Sequence, residues 1–168
     1  MSASNARAFH WNRRIEFAET DAAGIAHFST FVFVMEQAEH ALFRSLGLSI
    51  FMPLASVPAS LTLPPEWSHH PSNTIWTWPR VHCECDFVAP ARFEDELTVS
   101  IAIERMGTKS IIYAHRIARG LETIATGRMV AVCSLKNPTT GQLVGQPIPP
   151  GLRDWFAPYC VEPTDKAS

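Results

Sequence analysis

Ala18-Glu19-Thr20-Asp21-Ala22-Ala23-Gly24-Ile25-Ala26-His27-Phe28 places a carboxylate and an imidazole between two segments of different hydrophobic period. Upstream, Phe9, Trp11, Ile15 and Phe17 alternate with His10, Asn12, Arg14 and Glu16, the pattern of a strand with one covered face, broken only at Arg13. Downstream, apolar residues at 31, 34, 35, 38, 42 and 46 predict a helix from Phe31 to Leu46, closed by Gly47, the residue type favoured just past a helix end. The first turns of that helix, Phe31-Val32-Phe33-Val34-Met35, are apolar nearly all round, so a sheet must wrap them. Asp21 therefore lies on a loop feeding a helix N-terminus.

After the helix, residues 48–79 carry six prolines, which bars a long helix or a central strand. The same connection holds Ile50, Phe51, Leu61, Trp67, Trp76 and Trp78, and so is expected to pack on the body or on a partner. From Arg80 the period becomes two: Val81, Cys83, Cys85 and Phe87, then Leu97, Val99, Ile101 and Ile103, then Ile111, Tyr113, His115 and Ile117. Turns at Met106-Gly107-Thr108 and Arg119-Gly120-Leu121, and a last strand from Glu122 to Leu135, complete an antiparallel meander, with Gly127 marking a bulge or a close backbone approach. Asn137 to Gly141 reads as a turn, and Leu152, Trp155 and Phe156 as a short docking segment before a frayed tail. The reading is a single α+β domain over residues 1–168, with a core at about 9–137, the connection at 48–79 and a C-terminal extension at 138–168.

The chain has 168 residues, a net charge of −2 and a pI near 6.4, so it lacks the basic footprint of a protein that binds nucleic acid or an anionic membrane. No run approaches the roughly 18 apolar residues of a membrane span, and Met1 to Ala8 lack an apolar signal region, so a cytoplasmic protein is expected. Cys83, Cys85, Cys133 and Cys160 read as reduced, buried thiols, the first two on one face of a strand. His69-His70 and His82-x-Glu84 lack a metal-ligand spacing, and no phosphate-cradling or dinucleotide fingerprint is present, so neither metal nor cofactor is expected.

The Thr20-Asp21-Ala22-x-Gly24-Ile25 turn before the helix, followed in order by Asp86-Phe87-Val88-Ala89-Pro90-Ala91-Arg92-Phe93-Glu94-Asp95-Glu96-Leu97, resembles the hotdog-fold acyl-CoA thioesterases of the 4-hydroxybenzoyl-CoA thioesterase family. The resemblance runs from about Phe9 to Asn137. It implies a hotdog fold, in which an antiparallel sheet wraps one long helix, and hydrolysis of an acyl-CoA thioester without a cofactor. It implies that Asp21 attacks the thioester carbonyl or activates the water that does, and that the backbone amide of Phe28 holds the oxyanion. Phe28 stands where some of those enzymes carry Tyr or His, and His27 is the neighbouring imidazole. Among substrate-binding positions it points to Gly24, Lys109 and Ser110, with Gly107 and Thr108 standing where some relatives have arginines. It also implies a site shared between subunits, hence a homodimer or homotetramer.

Taken alone, Asp21 reads as a turn or helix-entry aspartate, His27 as a hydrogen-bonded structural histidine, and Glu36, Glu39 and His40 as a solvated helix face. Two other functions remain in view. A hotdog-fold hydratase or dehydratase is disfavoured by the lack of Asp-x-Asn-Pro-x-His and His-Phe-Pro patterns. A non-catalytic acyl-CoA-binding protein would tolerate loss of Asp21, which this chain retains.

Overall fold

The computed structural model describes residues 7–161. Along the chain run β1 (Phe9–Arg14), α1 (Phe28–Ser45), β2 (Phe51–Pro53), β3 (Ile75–Thr77), β4 (Arg80–Phe87), β5 (Glu96–Met106), β6 (Ser110–Arg119), β7 (Glu122–Val132), β8 (Ser134–Lys136), β9 (Leu143–Gly145) and α2 (Pro150–Phe156). The main sheet is antiparallel with order β1-β5-β6-β7-β4, and a smaller one has order β2-β3-β8-β9. A break at Cys133 divides β7 from β8, so the expected last strand from Glu122 to Leu135 is shared between the two sheets.

The 18-residue α1 buries Phe31, Val34, Met35, Ala38, Leu42 and Phe43 against the sheet. Each of these side chains larger than Ala38 contributes roughly 1.5–3 kcal/mol of transfer free energy. The helix begins three residues earlier than its apolar stripe, because His27 caps it, and it ends as read, with Leu46 as C-cap and Gly47 at φ +73°. Leu97, Val99, Ile101 and Ile103 of β5 and Ile111, Tyr113 and Ile117 of β6 form the opposing layer. Gly127 proves to be a close approach: a Cβ there would meet Met35 Sδ at 2.4 Å and the Glu84 carbonyl at 2.7 Å. Only glycine lets α1 settle this low on the sheet.

Three expectations need correction. The first strand stops at Arg14, and Phe17 opens a 3-10 turn with its ring 75% exposed. Glu16 and Glu19 form a reciprocal capping box there, while the inward-turned Arg13 meets the Glu19 carboxylate and Gln37, so local polar bonds override the alternation. Along β4 the alternation is present but its face is largely uncovered, with Val81 63% and Phe87 54% exposed, because β4 is an edge strand paired only with β7. For the same reason Cys83 is exposed rather than buried, although Cys133 is buried and all four thiols are free.

The connection from Leu48 folds back on the body, where Trp76 and Trp78 are fully covered and Phe43 lies edge-on to both Trp78 and Phe156. Within the C-terminal segment, Ile148, Leu152 and Phe156 join the core, so packing extends past Asn137. The tail after Val161, read as frayed, lies outside the described residues. No helix among the described residues is long and apolar enough to cross a membrane.

Candidate active site

The loop from Thr20 to Ala26 is a small closed turn. Thr20 and Ala26 form a bridge, the Asp21 N–H donates to the Ile25 carbonyl at 2.9 Å, and the Gly24 N–H donates to the Asp21 carbonyl at 3.0 Å. Gly24 has φ +72° with open space around its missing Cβ, so its requirement is conformational. The Ala23 N–H donates to Asp21 Oδ1 at 2.8 Å. That fixes the carboxylate and leaves Oδ2 unpaired among the described residues.

Two carbonyls tie this turn to the helix and sheet. The Glu19 carbonyl accepts from the His27 N–H at 2.8 Å and from Thr30 Oγ1 at 3.1 Å. The Ala91 carbonyl accepts from the Ala26 N–H at 2.8 Å. The Asp21 turn is thereby held to the loop between β4 and β5, the second stretch that carried the family resemblance.

At the start of α1 four N–H groups have no helical partner. His27 Nδ1 accepts from the Ser29 N–H at 3.3 Å and lies 2.8 Å from Ser29 Oγ, and the His27 carbonyl takes the Thr30 N–H at 2.9 Å. The Phe28 N–H has no acceptor among the described residues. It points from the positive end of the helix, which carries roughly half an elementary charge. The imidazole of His27 is committed to capping and does not line the cavity next to Asp21.

That cavity, of about 410 Å³, has Asp21, Ile25, Ala26, Phe28 and Phe31 on one side and the run from Phe87 to Ala91 on the other. Phe31 and Phe87 face each other with ring centroids 5.5 Å apart. Among the described residues Asp21 is the only ionisable one that lines it. An apolar cleft lined by one carboxylate and by Phe28, whose N–H is unpaired among the described residues, suits attack on a carbonyl whose developing negative charge sits at the helix start.

Lys109 and Ser110 are not part of this cluster within one chain. Phe87 pairs with Ala125 and Ser110 with Val132, so along β7 they lie seven residues, or about 23 Å, from the cavity. The Lys109 ammonium donates to the Gly145 carbonyl at 3.1 Å.

The expected solvated helix face is corrected at Glu39, which is 1% exposed. Its carboxylate is bound by the Arg80 guanidinium, and its Oε1 lies 3.4 Å from His115 Nε2 without hydrogen-bond alignment. Tyr113 and His40 border this group, and among the described residues the buried atoms lacking a partner fall mostly within it. Burial raises the Tyr113 phenol well above its ordinary value, and burial together with Arg80 lowers His40. Nothing in the local sequence marks Glu39, because its partners come from β4 and β6. Burial also pushes the Cys133 thiol up to about 12 and Cys85 to about 11, so neither is a nucleophile at neutral pH. Among the described residues no three His, Cys, Asp or Glu side chains are grouped to hold a metal ion.

Sequence reasoning also missed the cavity's second wall as a wall. Phe87 to Ala91 stood inside a quoted motif, but it takes tertiary contacts, among them the hydrogen bond between Ala26 and Ala91 and the packing of Phe87 on Phe31, to bring that motif to Asp21.

Residues 73–125 match the Thioesterase superfamily. A 1,4-dihydroxy-2-naphthoyl-CoA hydrolase of Synechococcus elongatus is 24% identical over 148 residues, covering 88% of this chain and 94% of its own. A 4-hydroxybenzoyl-CoA thioesterase of a Pseudomonas species is 28% identical over 114 residues, 68% of this chain and 70% of its own. The solved structure of a gentisyl-coenzyme A thioesterase superposes with a TM-score of 0.64 at 26% identity, over 89% of this chain and 99% of that one. This chain has the α+β hotdog fold, and the resemblance to hotdog-fold thioesterases carried by its two motifs is borne out in fold and in enzyme class.

Proposed function

We propose that this chain hydrolyses acyl-CoA thioesters to a free carboxylic acid and coenzyme A, with Asp21 as general base and the Phe28 N–H as oxyanion donor. The observation that supports this reading is one apolar cavity lined both by a half-free carboxylate, Asp21, and by Phe28, the first helical residue, whose amide is unpaired among the described residues. Asp21 Oδ2 takes a proton from water as the water oxygen adds to the thioester carbon. The carbonyl oxygen becomes an oxyanion opposite Phe28 N–H. Collapse of this intermediate breaks the C–S bond, and the proton held by Asp21 passes to the departing thiolate. General-base assistance of this kind contributes roughly 10²- to 10⁴-fold, and an oxyanion donor a comparable factor. His27 supports the step by capping the helix that presents the amide.

The working unit in this proposal is at least a two-fold dimer joined along β4. That edge exposes Val81, Phe87 and the adjacent Val88, and an uncovered strand edge with apolar side chains is a template for pairing. Antiparallel pairing of two β4 edges sets one chain's Arg80 end against the other's Phe87 end. Lys109 belongs to the Arg80 end, where the Val132 N–H meets the Pro79 carbonyl, so pairing brings Lys109 of the partner subunit to the end that holds Asp21. There it can meet the phosphates of coenzyme A.

Thiol release from a panel of acyl-CoAs tests the activity. Mixing Asp21→Asn with Lys109→Ala subunits tests the shared site, because each mixed dimer holds one fully equipped site and so combines the wild-type KM with a high turnover per site, a combination neither parent shows. A panel with no thiol release by the wild type, or a monomer of undiminished activity, discards the corresponding half of the proposal.

A further inference from the structure

The β4 edge carries Cys83 and Cys85 on the face where their neighbours across the strand, Met129 and Gly127, meet α1. An edge that pairs with its own copy sets that row of thiols against itself. Resting on the two-fold pairing proposed above, we infer its register: Glu84 lies at the two-fold axis and Cys83 of each chain lies directly opposite Cys85 of the partner subunit, so that oxidation locks the dimer with intersubunit disulfides.

The backbone limits which residues can meet. The Val88 N–H donates to the Ile124 carbonyl and the Val132 N–H to the Pro79 carbonyl, while the Cys133 N–H turns the other way, to the Lys109 carbonyl. Even-numbered residues of β7 therefore bond to β4. Cys83, Cys85 and Phe87 stand opposite the odd-numbered Met129, Gly127 and Ala125, so their own N–H and C=O groups point to the open edge. Hydrogen-bonded pairs across the axis thus join these odd-numbered residues to one another. The bulge between Arg80 and His82 and the end of the strand at Phe87 leave residues 82–87 regular. A centre at Glu84 pairs residues 82–86 and a centre at Cys85 pairs 83–87, whereas centres further out pair three residues or fewer.

Side chains decide between the two. A centre at Cys85 opposes Glu84 and Asp86 twice, and like charges directly opposite each other destabilise a sheet. A centre at Glu84 opposes His82 and Asp86 twice. Its one like-charged pair is Glu84 with its own copy, and each carboxylate there has Arg128 of its own chain at 3.3 Å. The same centre brings the exposed Val81 beside the exposed Phe87 of the partner subunit, so that two bare apolar side chains cover each other.

Opposite residues of a hydrogen-bonded antiparallel pair have Cα atoms about 5.5 Å apart, within the range a disulfide spans. Burial, with Glu39 and Glu84 nearby, raises the Cys83 thiol, and burial pushes Cys85 up to about 11, so the bond forms slowly and needs a peroxide-class oxidant. Each bridge takes two thiols to one disulfide, and their two hydrogens and two electrons reduce one hydrogen peroxide to two waters.

The test is oxidation of the intact protein with hydrogen peroxide, read on a non-reducing gel and reversed with dithiothreitol, beside light scattering of the reduced protein. The wild type should become a covalent dimer, at a rate that rises with pH as the thiols ionise. Cys83→Ser and Cys85→Ser should each lose the cross-link. Mixing the two variants should restore it, because each mixed dimer keeps one Cys83 facing one Cys85. A single variant that still cross-links moves the axis to the cysteine it retains and overturns the register, leaving the β4 pairing intact. A wild-type dimer that does not cross-link, or a cross-link that survives loss of both cysteines, overturns the inference outright. A reduced protein that stays monomeric removes the β4 pairing, and the inference with it.

Discussion

Asp21 and Glu39 are carboxylates attached to one rigid unit, the turn that opens α1 and the middle of the same helix, and their surroundings give them opposite work. Glu39 is 1% exposed, ion-paired to Arg80 and faced by His115 from the sheet. Asp21 is exposed at a cavity, with one oxygen held by the Ala23 N–H and the other unengaged. A carboxylate buried against a cation from the sheet holds elements together, whereas an exposed one with a free lone pair beside an apolar cleft can move a proton. The difference is made by partners from distant strands and not by the residue type.

Removing each group should therefore fail in a different assay. Glu39→Ala leaves Arg80 and His115 without their carboxylate in a covered site, and unfolding in denaturant should show a loss of about 3–5 kcal/mol. A loss below about 1 kcal/mol would mean that the cluster is wet and uncoupled, and the contrast with Asp21 would weaken. Asp21→Asn should reverse the pattern, with kcat falling roughly a hundredfold or more and folding stability within about 1 kcal/mol of wild type. Near-normal turnover by that variant would return Asp21 to the role of a turn residue.

Smaller effects sharpen the same boundary. His27→Ala removes the cap of α1 and should cost about 1 kcal/mol in stability, with a loss in kcat well below that of Asp21→Asn. A kcat loss equal to that of Asp21→Asn would make the imidazole a participant in proton transfer. Lys109→Ala should raise KM several-fold at nearly constant kcat, and the defect should shrink as salt screens the phosphate contact. A KM that stays at the wild-type value at low ionic strength would remove Lys109 from the substrate path.

The strand, turn and helix around Asp21 were legible because each rests on local rules. The stripe from Phe31 to Leu46 spans the turns of α1, Gly47 takes the left-handed cap, and the alternations at Leu97 to Ile103 and Ile111 to Ile117 become buried strand faces. The family resemblance supplied the hotdog topology, which periodicity alone does not specify. Local rules misread β4, since alternation reports that a strand has two faces and not whether anything covers one of them. They misread Phe17 too, where the capping pair of Glu16 and Glu19 outweighed the period of the strand.

The sequence by itself determined the elements, their order and the presence of a carboxylate at the entrance to a helix, because those depend on spacing within a few residues. Tertiary structure alone decided that Ala91 closes the cavity against Ala26, that Glu39 is buried between Arg80 and His115, and that Lys109 lies at the far end of the sheet from Asp21. The first two are contacts between residues at least 41 positions apart in the chain and the third is a separation, and all are fixed by strand register and by how closely α1 can approach Gly127. Short-range patterns carry no record of such distances, since the free energy that selects them comes from burying the whole core at once.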